Sequence, residues 1–307
     1  MSHADTGQAA QTDWTRAPER GNALLLRLMV WLSLRLGRPV GRLLLYPICF
    51  YYVLFTARTR HASRTYLNRV LPRPAGFTDL FRHVFSFAAT VHDRLYLLND
   101  RFDLFDIRVY GSEHLPEQGG ALLMGAHLGS FEVMRSLGRQ RNLRVAMLMY
   151  EENARKVNAA LAAINPHALT DIIPLGKMDS MLEALNRLET GHFVGMLADR
   201  TLGGDTLRNC QFFGHTAALP LGPFRMAAML KHPLIFMTGL YLGGNRYEIH
   251  FDRLADFSAI PRGQREAAIR AAQDRYVELL EHYCRQAPYN WFNFFDFWHT
   301  NAPEQRL

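Results

Sequence analysis

The stretch Gly119-Gly-Ala-Leu-Leu-Met-Gly-Ala-His-Leu-Gly-Ser-Phe-Glu-Val-Met-Arg135 reads as a buried strand, a short turn and the start of a helix. The apolar run Ala121 to Ala126 ends on His127, and Glu132 opens the helical part. Histidine is the side chain best suited to proton transfer near neutral pH, and a carboxylate can fix its tautomer and hold its charged form. His127 and Glu132 are five residues apart, a rotation of about 140° on a regular helix, so there they would point apart. They converge only if His127 precedes the helix, on a turn supplied by Gly129 and Ser130, with Ser130 as the N-cap. Taken alone the pair is weak: a histidine after a strand is usually structural, and a glutamate in a first helical turn is favoured by the helix dipole anyway.

Working outward, apolar strands alternate with helices on both sides. Ile107 to Tyr110, Ala121 to Ala126, Val145 to Met149, Phe193 to Ala198, Leu234 to Leu240 and Tyr247 to Phe251 read as strands. Helices are expected at Glu132 to Leu137, Asn153 to Ile164, Met178 to Leu188, Pro220 to Leu230 and Arg265 to Arg285. Uniformly apolar strands separated by helices predict an α/β fold with a mostly parallel central sheet covered on both faces. In such sheets the functional groups gather beyond the carboxyl ends of the strands. His127 follows one strand and Asp199-Arg200 follows another, which places two polar clusters at one edge. After the second come the loop Leu202 to Thr206, the turn Phe212-Phe-Gly214, and Ala217 to Phe224 leading into a helix.

The first third is helical and of different character. Residues 1–20 are polar and without apolar period, and are expected to form a mobile tail. Residues 21–58 are expected to be a membrane-associated helical segment, leaving 59–307 as the main domain. Within that segment Leu43-Leu-Leu-Tyr-Pro-Ile-Cys-Phe-Tyr-Tyr-Val-Leu-Phe55 is uncharged for 13 residues, short of the roughly 20 that a perpendicular span needs. Arg27, Arg35, Arg38 and Arg42 precede it, and Arg58, Arg60, Arg64 and Arg69 follow on a basic helical stretch ended by Pro72. Basic residues flanking an aromatic-rich apolar run fit a membrane-interface anchor, and two buried helices of a soluble layer are the competing reading.

Composition sets the remaining bounds. The 307 residues are 49% hydrophobic and 21% charged, a profile that packs a core rather than staying disordered. The net charge of +7 favours anionic partners, but no zinc finger, recognition helix or stacking motif points to nucleic acid. Three distant cysteines, Cys49, Cys210 and Cys284, offer neither a disulfide framework nor metal-ligand spacing.

The ordered set of His-x4-Glu at a strand end, a strand ending in Asp-Arg, Phe-Phe-Gly and a Pro-x-Gly-Pro helix start resembles the lipid A biosynthesis lauroyl/myristoyl acyltransferases, within the lysophospholipid acyltransferase superfamily. The similarity runs from about Leu24 to Trp298. It implies an enzyme that moves a fatty acyl group from an acyl-carrier-protein or CoA thioester to a hydroxyl of a membrane lipid or glycolipid. On that resemblance His127 is the general base and Glu132 orients it and stabilises its charge. Arg135 and Arg200 would handle anionic groups, Asp199 would organise the acceptor side, and Phe213 and Gly214 belong to the matching Phe-Phe-Gly. The chemistry needs no cofactor or metal: a base takes the hydroxyl proton and donors hold the oxyanion. The expected setting is the cytoplasmic face of a bacterial inner membrane, against an anionic lipid surface. A non-catalytic lipid- or carrier-binding scaffold and a thioester hydrolase are the alternatives.

The sequence also departs from that family. An arginine common after the next strand is replaced by Met149-Tyr-Glu-Glu-Asn153, and a common Asp-Gln pair is Asp199-Arg200. The ending Ala287-Pro-Tyr-Asn-Trp-Phe-Asn-Phe-Phe-Asp-Phe-Trp298 resembles a divergent subgroup associated with aryl polyene lipid pathways, which opens the acceptor to lipids other than lipid A. The seven aromatics from Tyr289 to Trp298 suit a membrane interface, an acyl-chain pocket, or a final segment docked on the core.

Overall fold

A computed structural model describes residues 31, 33–140, 143–150, 171–175, 179–200 and 206–300. Three helices come first: α1 (Arg38–Phe55), α2 (Ala57–Val70) and α3 (Phe77–Leu97). The chain then alternates through β1 (Asp106–Tyr110), β2 (Leu122–Gly125), α4 (Phe131–Gln140), β3 (Val145–Tyr150), β4 (Ile172–Leu175), α5 (Ser180–Glu189) and β5 (Phe193–Leu197). It ends with β6 (Leu207–Phe212), β7 (His215–Pro220), α6 (Gly222–Leu230), β8 (Pro233–Tyr241), β9 (Arg246–Asp256), α7 (Arg265–Gln286) and the short α8 (Phe297–Thr300).

Seven strands form one sheet in the order β1-β9-β8-β2-β5-β3-β4. Every pairing in it is parallel except β8 with β9. The central strands β2 and β5 lie between other strands and are buried almost throughout, which is why they read as uninterrupted apolar runs. The α/β expectation with a mostly parallel sheet therefore holds. Three elements differ from the sequence reading. β4 was not expected. Residues 207–220, where only a turn at Phe212-Phe-Gly214 and a helix start at Pro220 were expected, form the antiparallel hairpin β6–β7. The helix expected from Pro220 begins at Gly222, because Pro220 closes β7 opposite Leu207. The helix expected at Asn153 to Ile164 lies outside the described residues, as does the loop read at Leu202 to Asp205.

The α1 helix is two-faced. Gly41, Leu45, Cys49 and Val53 recur every four residues and form its buried stripe, while Leu43 is 68% and Phe55 67% exposed. Gly41 permits the close approach to α3, since a Cβ there would lie 2.2 Å from His92 Nε2. Among the described residues no single helix is long and apolar enough to cross a membrane. α1 and α2 pass that test only as a pair, and they meet at a bend of 93°.

A buried carboxylate fastens α1 to the rest. Asp93 on α3 accepts from Arg38 Nε at 2.7 Å, Arg42 Nη2 at 2.5 Å and the Tyr247 hydroxyl at 2.7 Å, and is itself fully buried. One anion thus joins α1, α3 and β9. Removing one partner of such a cluster leaves uncompensated buried charge. Asp93→Ala is expected to destabilise the protein by roughly 3–5 kcal/mol, read as a lower denaturant midpoint in detergent-solubilised protein.

Candidate active site

Strand register builds the site. β2 and β5 run parallel with Gly125 opposite Leu197. Two residues further along each chain are His127 and Asp199, so equal steps past the ends of neighbouring strands bring them together. The Asp199 carboxylate takes Nδ1 of His127 on Oδ1 at 2.8 Å and the His127 backbone N–H on Oδ2 at 3.1 Å. Oδ2 also accepts from the Trp291 indole N–H at 3.1 Å.

The turn that carries His127 is tied down from several sides. The Ser130 N–H donates to the Gly239 carbonyl at 2.7 Å, and the Gly129 N–H donates to the Asn290 carbonyl at 2.9 Å. The Phe292 N–H donates to the His127 carbonyl at 2.8 Å, and the Thr238 hydroxyl to the Leu128 carbonyl at 3.0 Å. Gly129 has φ +74°, and a Cβ there would fall 2.1 Å from the Gly239 carbonyl oxygen. Only glycine fits both demands.

Electrostatics fix the protonation states. Burial alone would raise the Asp199 pKa, but the His127 ring, its hydrogen bond and the Arg200 charge outweigh it and hold the acid below the usual carboxylate range. An ionised carboxylate only accepts, so Nδ1 carries the proton and Nε2 keeps its lone pair. Burial and then Arg200 lower the His127 pKa, with Asp199 opposing them. The ring is therefore neutral at neutral pH, in the state a base requires. Its side chain is 37% exposed, enough to reach a substrate.

The expected residues fall into three groups. His127, Asp199 and Arg200 come together at the carboxyl ends of β2 and β5. Arg200 donates to the Phe292 carbonyl at 2.7 Å and stacks over Phe295 at 5.1 Å, and burial lowers its pKa. Glu132 was expected to orient the imidazole; instead it is Asp199 that holds Nδ1, and the buried Glu132 carboxylate pairs with Arg94 of α3 at 2.8 Å. Ser130 occupies the residue before α4, yet among the described residues its buried hydroxyl has no hydrogen-bond partner and so provides no cap. Arg135 lies on α4, and its side chain falls outside the described residues.

Phe213 and Gly214 form the two-residue turn of the β6–β7 hairpin, both with positive φ. The Phe213 ring is buried against Tyr66 and lies 5.0 Å beneath Arg285, while its N–H donates to Glu281. Their surroundings are those of a packed turn. Trp291, Asn290 and Arg94 were not singled out by the sequence. Trp291 was visible only as one aromatic among seven, and Arg94 carried no signal.

A neutral imidazole held by a buried carboxylate, above an α/β sheet, is the equipment of an enzyme that activates a hydroxyl or water. A family model described as bacterial lipid A biosynthesis acyltransferase matches residues 88–300, more than half of the chain, and the match includes His127, Asp199, Arg200 and Trp291. The chain belongs to that family and is an acyltransferase of lipid biosynthesis. The crystal structure of the 1-acyl-sn-glycerophosphate (LPA) acyltransferase PlsC from Thermotoga maritima is similar at 15% identity. The alignment covers 78% of this chain and 98% of that one, with a TM-score of 0.39. Among curated proteins no relative matches.

Two predictions follow from the geometry. Gly129→Ala places a methyl group against a backbone carbonyl in a left-handed turn, and is expected to lower kcat at least tenfold while the circular dichroism spectrum changes little. A base whose pKa is lowered loses function only when pH falls through that lowered value. The acid limb of kcat/KM is therefore expected below about 6.5, the ordinary histidine value, in a pH–rate profile.

Proposed function

We propose that the protein transfers a fatty acyl group from an acyl-carrier-protein or CoA thioester to a hydroxyl of a membrane lipid or glycolipid. The observation that carries this reading is the His127–Asp199 pair, with Nδ1 engaged and Nε2 left as the base. Nε2 takes the acceptor's hydroxyl proton as the oxygen attacks the thioester carbonyl carbon. The resulting oxyanion needs donors, and the backbone N–H groups at the start of α4 and the Arg200 guanidinium are the candidates for that role. Collapse breaks the C–S bond, and the thiolate takes the proton from the imidazolium to leave as free thiol. Glu132, bound to Arg94, fixes the start of α4 against α3.

In this proposal the enzyme works at the cytoplasmic face of a bacterial inner membrane. Support comes from the outer face of α1, where Leu43, Phe50, Tyr51, Leu54 and Phe55 are exposed side by side with the basic helix α2. Aromatic and aliphatic side chains beside arginines suit the boundary between headgroups and acyl chains. The bend of 93° and the stripe that α1 buries against α3 favour a helix lying in that boundary over one crossing it.

The test is release of free thiol from an acyl-carrier-protein thioester and, separately, from an acyl-CoA, with total bacterial lipid as acceptor. Wild-type protein is expected to release thiol only when acceptor is present and to yield an acylated lipid by mass spectrometry. His127→Ala is expected to lower the rate by 100-fold or more, in the range of about 10²–10⁴ typical of a lost general base. Full activity in that variant sinks the mechanism, and acceptor-independent release makes the enzyme a hydrolase.

A further inference from the structure

Residues 290–292 form an extended strap across the turn that carries His127. The Asn290 carbonyl receives the Gly129 N–H, the Phe292 N–H reaches the His127 carbonyl, and Leu128 and Trp291 form an antiparallel bridge between them. The strap is anchored behind. The Asn290 side chain pairs with both the backbone N–H and the carbonyl of Tyr241, at 2.6 and 2.9 Å. The Trp291 carbonyl accepts from His83 Nε2 of α3 at 2.8 Å.

Trp291 itself is fully buried, with edge contacts to Tyr66, Phe212 and Phe297 at ring separations of 4.9–5.2 Å. Packing alone would be served by any large aromatic ring. What packing does not require is the aim of its single polar atom: the indole N–H meets Oδ2 of Asp199, the carboxylate whose other oxygen holds His127. The imidazole and the backbone N–H that Asp199 receives both belong to His127, so a carboxylate held by these two alone could turn together with that residue; a donor from a second segment fixes it independently. Here Oδ1 takes the imidazole, and Oδ2 takes two N–H groups from different parts of the chain.

We propose that Trp291 is a positioning residue for acyl transfer: its indole N–H locks the Asp199 carboxylate so that His127 presents Nε2 to the acceptor hydroxyl. The inference rests on the reading of His127 as base. It gives the aromatic C-terminal segment a part in the reaction, through Asp199, without contact to substrate. The neighbouring groups leave the pair undisturbed. Tyr276 and Cys284 of α7 are held neutral by burial, and burial lowers His83 of α3 to about 4. Glu132 is paired with Arg94, so among the described residues Arg200 is the charged group, beyond the two partners themselves, that acts on the pair directly.

Trp291→Phe keeps a large ring and removes the N–H. In the full-length protein it is expected to lower kcat about tenfold with the KM values for thioester and lipid unchanged, the mark of an interaction that matters in the transition state. Freed of one donor, the carboxylate binds the imidazolium more strongly, so the acid limb of the pH–rate profile should move up by about half a unit. In an Asp199→Asn background the same substitution should change kcat by less than about twofold, because the two residues act as one unit. A wild-type kcat and an unmoved limb in Trp291→Phe, with His127→Ala inactive, overturn the inference and leave the base standing. Activity in His127→Ala overturns both. Should Trp291→Phe not fold, the Trp291 indole proton decides by NMR: an upfield shift in Asp199→Asn relative to wild type supports the lock, and an unmoved signal overturns it.

Discussion

The parallel register of β2 and β5 is the constraint on which the site depends. With Gly125 opposite Leu197, the chains leave the sheet in step, and the second residue beyond each pair becomes a neighbour of the other. A slip of one residue would turn every side chain of β5 to the opposite face and carry Asp199 away from His127. The apolar content of both strands prevents this, since their side chains are buried in the core. The geometry of the His127–Asp199 pair is thus set by the same burial that stabilises the sheet. No dedicated loop has to find it.

Having brought a carboxylate to a fully buried position, the fold must compensate its charge. Isolated ionised carboxylates in an apolar setting neutralise themselves by taking up a proton. Asp199 stays ionised because it receives the imidazole, a backbone N–H and the Trp291 indole, with the Arg200 cation close by. Arg200 is as much a cost as a benefit. It stabilises the anion of Asp199 but disfavours the imidazolium that the proposed proton transfer would form. The balance suits a base that must be unprotonated before the reaction and only briefly charged within it.

The sheet was legible in the sequence because its strands are buried on both faces and stand as apolar runs between helices. The hairpin β6–β7 was not, for a definite reason. Its turn places Phe213 and Gly214 at positive φ, a geometry that asparagine or aspartate before glycine would have announced. Phenylalanine holds that conformation here because Glu281 takes its N–H and Arg285 covers its ring. Both partners lie some seventy residues downstream. The pairing of His127 with Asp199 was hidden in the same way. Sequence proximity favoured Glu132, whereas strand register, which sequence does not display, favoured Asp199. His127 itself was legible, since a histidine closing a buried strand stands at the edge where α/β sheets place their chemistry.

Helix α3 ties these parts to one another. Its consecutive residues Asp93 and Arg94 point to different tasks: Asp93 holds Arg38 and Arg42 of α1, and Arg94 holds Glu132 at the start of α4. About three turns further back, His83 of the same helix bonds the Trp291 carbonyl. The helix with the exposed apolar face, the helix that follows the base, and the strap that locks Asp199 therefore share a single rigid support. If α1 lies in the headgroup boundary, as proposed, α3 fixes how far His127 stands from it, because hydrogen bonds and ion pairs of 2.5–2.8 Å leave little slack at either end. With the acceptor held in a membrane and the donor arriving from water, as proposed, the reaction would need such a fixed offset. Ion pairs on two adjacent residues of one helix are a direct way to build it.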